Sequence, residues 1–218
     1  LEASGQGSFT GRLAHYLCEQ AATLMAKADF AGAQSLLQQA IDSAPQVPRP
    51  RMDMAALLTK SGQAAQSCRV LTEALHASPA AIPLIAPLLA QSAIASGQVA
   101  ETLELLKATY QEVPSLDVLD AVVSLEASTT ELTPTARDWY ARHLEKEPSL
   151  VAATKWIAGE KLEHEQFHPQ VQRALDHAVK PLTRYRCAAC GFEAKQHFWQ
   201  CPGCQAWDSY PARRVEEL

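Results

Sequence analysis

Residues 184–211 read RYRCAACGFEAKQHFWQCPGCQAWDSYP and place four of the chain's six cysteines within 18 positions. Cys187-x2-Cys190 and Cys201-x2-Cys204 are separated by ten residues. Two CxxC hairpins of this kind fold toward each other and present four thiolates tetrahedrally, a geometry that suits Zn(II) or iron at metal–sulfur distances of about 2.3 Å. The x2 spacing turns the backbone sharply and aims amides at the sulfurs. Gly191 follows the first pair, where a positive φ is expected, and Pro202 stiffens the second turn. Disulfides are the competing use of four cysteines. Paired CxxC units in a sequence without a signal-peptide pattern favour metal. About 25 residues bury too little surface to fold alone, so the metal is expected to supply much of the folding free energy. Tyr185, Phe192, Phe198, Trp199, Trp207 and Tyr210 surround the cysteines and are expected to shield them, to pack on the rest of the chain, or both. With no fifth ligand in the stretch, the site reads as closed and structural.

Upstream, proline marks a period. Pro45, Pro79, Pro114 and Pro148 are spaced by 34, 35 and 34 residues. Turns recur with them at Ala28-Asp29-Phe30, Gly62-Gln63-Ala64, Gly97-Gln98-Val99 and, more weakly, Glu131-Leu132-Thr133. Ala33, Ser67, Thr102 and Ala136 occupy a small-residue slot, and Leu37, Leu71, Leu106 and Tyr140 a bulky one. Ala40, Ala74, Thr109 and His143 fill a second small slot with decreasing fidelity. A 34-residue period built of two helices and a closing proline resembles the tetratricopeptide repeat. The pattern predicts helix pairs at 13–27/30–44, 48–61/64–77, 82–96/99–112 and 116–128/133–147. A degenerate pair at 150–166 and 169–180 is expected to cap the stack. In the third unit, Pro83 is expected to start the helix and Pro87 to kink or delay it.

The fold class expected is therefore mostly α: a solenoid of antiparallel helix pairs with a small C-terminal four-cysteine metal domain, which resembles rubredoxin. The expected boundaries are a frayed terminus at 1–11, repeats at 12–149, a capping pair at 150–181, the metal domain at 184–211 and a tail at 212–218. Such a stack offers a groove and contributes no chemistry. Repeat position nominates His15, Arg49, Met52, Leu84 and Gln91 as groove residues. Cys18 and Cys68 lie among apolar neighbours and read as buried thiols.

The totals set limits. The chain has 218 residues, 47% hydrophobic and 20% charged, with formal net charge -5, so no global field recruits nucleic acid or anionic lipid. No apolar run is expected to be long enough to span a membrane. The first residue is Leu1 rather than Met, the pattern of a fragment or a processed chain, and a segment ahead of it is where an anchor would lie.

Repeats followed by RYRC-x2-CGF-x6-WQCP-x-C-x2-W resemble the lipopolysaccharide assembly protein B family. LAHYLCEQA at 13–21 and PLIAPLLA at 83–90 extend the likeness over most of the chain. One departure is Gln205, which follows Cys204 where rubredoxins usually carry Gly. The resemblance implies cytoplasmic repeats with the metal domain placed against them, and Cys187, Cys190, Cys201 and Cys204 as ligands of one Zn(II) or Fe ion. It implies a non-enzymatic adaptor that binds the lipid A pathway deacetylase and promotes its degradation by the FtsH membrane protease. It also implies a link to a lipopolysaccharide-sensing membrane protein. The expected location is the cytoplasmic face of the bacterial inner membrane, through an N-terminal helix ahead of this soluble fragment. A homodimer is compatible with this reading.

Three other classes compete. Rubredoxin-like thiolates suit electron transfer by iron, although no flavin motif accompanies them. A zinc ribbon with Arg184, Arg186, Lys195, Arg213 and Arg214 suits nucleic acid, but Glu193, Asp208, Glu216 and Glu217 offset that charge, and no nucleic-acid partner is expected. An enzyme is disfavoured, since no phosphate loop or nucleophile–base pattern is present. His164 and His168 share a helical spacing near Glu163 and Glu165, but Pro169 interrupts the helix there.

Overall fold

A computed structural model describes residues 9–129, 136–159 and 165–218. Helices α1 (Phe9–Ala26) and α2 (Phe30–Ser43) form the first antiparallel pair, α3 (Pro48–Lys60) and α4 (Ala64–Ala77) the second. A 3-10 turn at Pro79–Ala81 leads into α5 (Ile82–Ser96), which pairs with α6 (Val99–Glu112). Then come α7 (Leu116–Ala127), α8 (Ala136–Lys146), α9 (Leu150–Ala158) and α10 (His168–Val179). The metal domain contributes β1 (Tyr185–Arg186) and β2 (Glu193–Ala194), paired antiparallel.

The period has a backbone cause. Ala28, Gly62 and Gly97 all adopt positive φ, of 61°, 74° and 76°. Each ends the first helix of its pair. The next residue then donates back across the turn: Asp29 to Leu24, Gln63 to Leu58 and Gln98 to Ala93, at 2.8–3.0 Å. This left-handed cap satisfies carbonyls that a helix end would leave bare. Prolines close the units as expected, and after Pro114 and Pro148 the hydroxyls of Ser115 and Ser149 cap α7 and α9.

Small residues let the helices approach. Ala33, Ser67, Ala40 and Ala74 are fully buried, and Thr102, Thr109 and His143 nearly so. Ala136 is exposed at the start of α8. Ser67 shows how a polar residue serves a core slot: its hydroxyl lies 3.0 Å from the Ala55 carbonyl and 2.9 Å from Ser92, so α3, α4 and α5 meet on one satisfied group. Leu37, Leu71, Leu106 and Tyr140 fill the gaps between units.

Several expectations change. Residues 9–11, placed in a frayed terminus, are the first turn of α1. Pro83 does sit in the first turn of α5, but Pro87 neither delays nor ends that helix, which runs on to Ser96. Its missing N–H falls early enough for the buried packing of Ile85, Ala86, Leu89 and Ala93 to hold the helix together. The run Pro79–Ser96 has mean hydropathy 1.4 over 18 residues, so by length and composition it could cross a membrane, contrary to the sequence reading. In the fold it is a core segment, with α5 packed against α4, α6 and α7. In the capping unit, α9 stops at Ala158, and α10 starts at His168 with Pro169 in its first turn, where a missing N–H costs nothing. The weak turn Glu131-Leu132-Thr133, the start expected for the helix at 133, and His164 with Glu163 lie outside the described residues.

Candidate metal centre

The two cysteine knuckles are built alike. The Cys187 amide donates to the Phe192 carbonyl and Gly191 N–H returns to the Cys187 carbonyl, at 2.9 and 2.8 Å. Cys201 and Ala206, then Gln205 and Cys201, repeat the two bonds at the same distances. The fifth residue of each knuckle has positive φ: Gly191 at 77° and Gln205 at 61°. The departure at Gln205 therefore changes the side chain and keeps the backbone turn.

The four sulfurs lie within 4.8 Å of one another. Cys187 and Cys204 are 3.8 Å apart, Cys190 and Cys201 3.7 Å. A tetrahedron with arms of about 2.3 Å has edges of about 3.8 Å, so the donor set fits one tetrahedral cation. Backbone amides of Ala189 and Cys190 reach Cys187, those of Gly203 and Cys204 reach Cys201, and that of Phe192 reaches Cys190. Burial would raise the Cys187 thiol, but the Ser209 hydroxyl at 3.3 Å and these amides outweigh it and pull it down to about 6. At Cys190 the Phe192 amide favours the thiolate, yet desolvation and the neighbouring sulfurs push it up to about 12. Burial also opposes the Cys201 thiolate, but the Cys204 and Gly203 amides outweigh it and hold this thiol below its ordinary value, so the conflict falls on Cys190, a like-charge conflict that a bound cation removes. Cys187 and Cys201 are buried, whereas Cys190 and Cys204 face solvent.

The aromatic residues divide between two tasks. Tyr185 and Tyr210 are buried beside Cys187 and Cys201, with Phe198 against them. The Tyr210 hydroxyl donates to the Phe192 carbonyl at 3.1 Å, and burial raises it to about 12. Trp199 and Trp207 instead turn to the repeats. His15 of α1, fully buried, stacks on Trp207 with ring centroids 4.8 Å apart and lies 5.8 Å from Trp199. Its Nε2 is 2.9 and 3.1 Å from the two carboxylate oxygens of Asp208. Leu84 of α5 packs onto the module's own core.

Residues 212–218 are bound to the repeats. Arg214 makes a two-pronged pair with Asp117 at 2.9 and 3.0 Å, donates to the Thr183 carbonyl, and lies over the Tyr185 ring. Glu217 accepts from the Leu116 amide at 2.8 Å, and Glu216 from Leu150 and Val151 at 2.6 and 3.1 Å. Two carboxylates therefore sit at the N-termini of α7 and α9, where the helix dipole favours negative charge. Burial nevertheless keeps the Glu217 carboxyl above its ordinary range.

The groove candidates fare differently. His15 and Leu84 are covered by the metal domain. Arg49 is buried between α1 and α3, paired with Glu19 and Asp53. Met52 packs on the core, and Gln91 alone of the five is exposed. Cys18 and Cys68 are buried, and desolvation raises both thiols. Between the inter-repeat turns and the module runs a cleft of about 900 Å³. Val47, Pro79 and Leu84 line one side, Trp199, Tyr210 and Arg213 the other.

Residues 185–210 match a LapB zinc-ribbon model described as a rubredoxin metal binding domain, and residues 24–92 match a tetratricopeptide repeat model. Lipopolysaccharide assembly protein B of Escherichia coli (strain K12) is 23% identical over 212 residues, 94% of this chain and 54% of that protein. Over most of its length the chain resembles the lipopolysaccharide assembly protein B family. The protein of the same name from Haemophilus influenzae is 22% identical over 197 residues, 81% of this chain and 46% of its own length. The chain spans about half the length of the curated relatives it matches. Among solved structures, MamA from Desulfovibrio magneticus RS-1 is similar with TM-score 0.48 and 11% identity, covering 79% of this chain and 98% of that one.

Proposed function

We propose that the chain is a non-enzymatic adaptor of lipopolysaccharide assembly at the cytoplasmic face of the bacterial inner membrane. In this reading it binds the lipid A pathway deacetylase and promotes its degradation by the FtsH membrane protease, under the influence of a lipopolysaccharide-sensing membrane protein. Similarity to lipopolysaccharide assembly protein B over 94% of the chain supports the pathway. The observation that carries the adaptor reading is the two-walled cleft between repeats and module, a docking geometry built from Val47, Leu84, Trp199 and Arg213. The cysteine cluster holds one Zn(II) or Fe ion, which when bound supplies a rigid clamp for the module. Co-purification of partners with a tagged chain tests the reading. Recovery of the deacetylase or the membrane protease is expected; recovery of a reductase or nucleic acid in their place overturns it.

One observation favours a second reading. Cys190 and Cys204 face solvent, an arrangement through which an iron centre could exchange electrons. Metal analysis and a redox titration of cell-derived protein decide, and a zinc-filled site excludes it. Nucleic-acid binding draws less support, because Arg184 and Arg186 pair with Glu193, and Arg214 with Asp117. A filter-binding assay at low salt is expected to show no retention.

A further inference from the structure

We propose that occupancy of the four-cysteine site and docking of the module on α1 are one linked equilibrium, with His15 as a positioning residue for the metal site.

The second knuckle is not an independent loop. Cys201 and Cys204 lie inside a hairpin whose ends are Trp199 and Asp208, tied by Asp208 N–H to the Trp199 carbonyl at 2.9 Å and by the pairing of Gln200 with Trp207. His15 touches both ends at once, stacking on Trp207, meeting the Trp199 ring at a tilt with centroids 5.8 Å apart, and bonding to the Asp208 carboxylate. Asp208 is held at φ 51°, a left-handed conformation that a non-glycine residue keeps only where its surroundings over-determine it. The next residue, Ser209, places its hydroxyl 3.3 Å from Cys187 Sγ in the first knuckle. His15 therefore fixes the hairpin that carries two cysteines and, through Ser209, the environment of a third.

Metal and α1 organise the same short stretch, which is too small to hold its shape unaided. When two agents stabilise one conformation, each raises the affinity of the other by the same factor. Docking on His15 thus strengthens metal binding, and metal strengthens the docking. Release of the metal loosens Trp199 and Tyr210, which form one wall of the cleft, and leaves the His15 ring without its cover.

The test uses the full chain and zinc alone. Zinc affinity is measured by competition with a chromophoric chelator for the wild type, His15→Ala, His15→Gln and Ser67→Ala. His15→Ala is expected to weaken zinc binding about tenfold. His15→Gln, whose amide donates to Asp208, restores much of it. Ser67→Ala, which loosens the stack at α4 away from the module, leaves zinc affinity unchanged. Hydrogen exchange of the wild type with and without zinc supplies a readout that needs no variant. Amides of α1 exchange faster without metal while those of α6 do not change. Wild-type zinc affinity in His15→Ala, or identical α1 protection with and without zinc, overturns the proposal.

Discussion

At the scale of single residues, backbone strain is the simplest lever. Gln205 occupies a left-handed position that its counterpart Gly191 fills without a Cβ. Gln205→Gly is expected to stabilise the zinc-loaded module by about 1 kcal/mol, seen as a higher midpoint of thermal unfolding followed by tryptophan fluorescence. A lower midpoint would mean that the glutamine side chain contributes more than the strain it causes. Arg214 is the opposite case, since its removal leaves the largely buried Asp117 carboxylate without its partner. Arg214→Ala is expected to cost about 3 kcal/mol, measured by urea unfolding. The four cysteines were legible because ligand spacing is local along the chain. The partnership of His15 with Asp208, 193 residues apart, carries no such local mark. Arg214, Glu216 and Glu217 likewise read only as charges that balance one another, until the fold shows which helices they meet.

At the scale of elements, the repeat helices could be placed closely because each boundary has a chemical cause: a left-handed turn residue, a closing proline, a serine cap. The positions that drifted lie where that grammar weakens. His143 replaces the small residue of its slot, and the helix packs by a different device, a hydrogen bond between its Nδ1 and the Tyr110 hydroxyl at 2.7 Å. Burial holds His143 below its ordinary value of 6.5, and burial acts likewise on His197. In the acid range below about pH 6.5 the unfolded chain therefore binds protons that the folded chain refuses. Their contribution to stability is complete above that pH and is lost as pH falls through the depressed folded values. His143→Gln, whose amide can still hydrogen-bond the Tyr110 hydroxyl, should lose less of its melting temperature between about pH 7.5 and about pH 5.5 than the wild type does. An equal loss in both would remove His143 from the pH dependence. The same scale explains α10, where Val171, Ala174, Leu175 and Ala178 lie on one face yet none is buried. Periodicity identified the helix and had no means of saying that α9 covers this face only in part.

At the scale of the whole molecule, the metal domain ties the two ends of the chain together. Its hairpin holds α1, and the residues that follow it cap α7 and α9. Replacing Cys187 and Cys190 with Ser removes two of the four donors, so the module is expected to unfold while the repeats keep most of their helical signal. Far-ultraviolet circular dichroism should change little, and near-ultraviolet signal from Trp199 and Trp207 should collapse. Partner degradation in cells should fail with it, and a double variant that regulates normally would count against the adaptor reading. The sequence by itself determined the helix pairs, their period and the sulfur cluster, because turn chemistry, small-residue slots and CxxC spacing act between residues close along the chain. Only the tertiary structure decided that the module covers part of α1 and α5, that His15 and Leu84 belong to that contact, and that the last residues are helix caps. Those outcomes depend on which surfaces meet after the helices have stacked, and surfaces far apart in sequence leave no spacing to read.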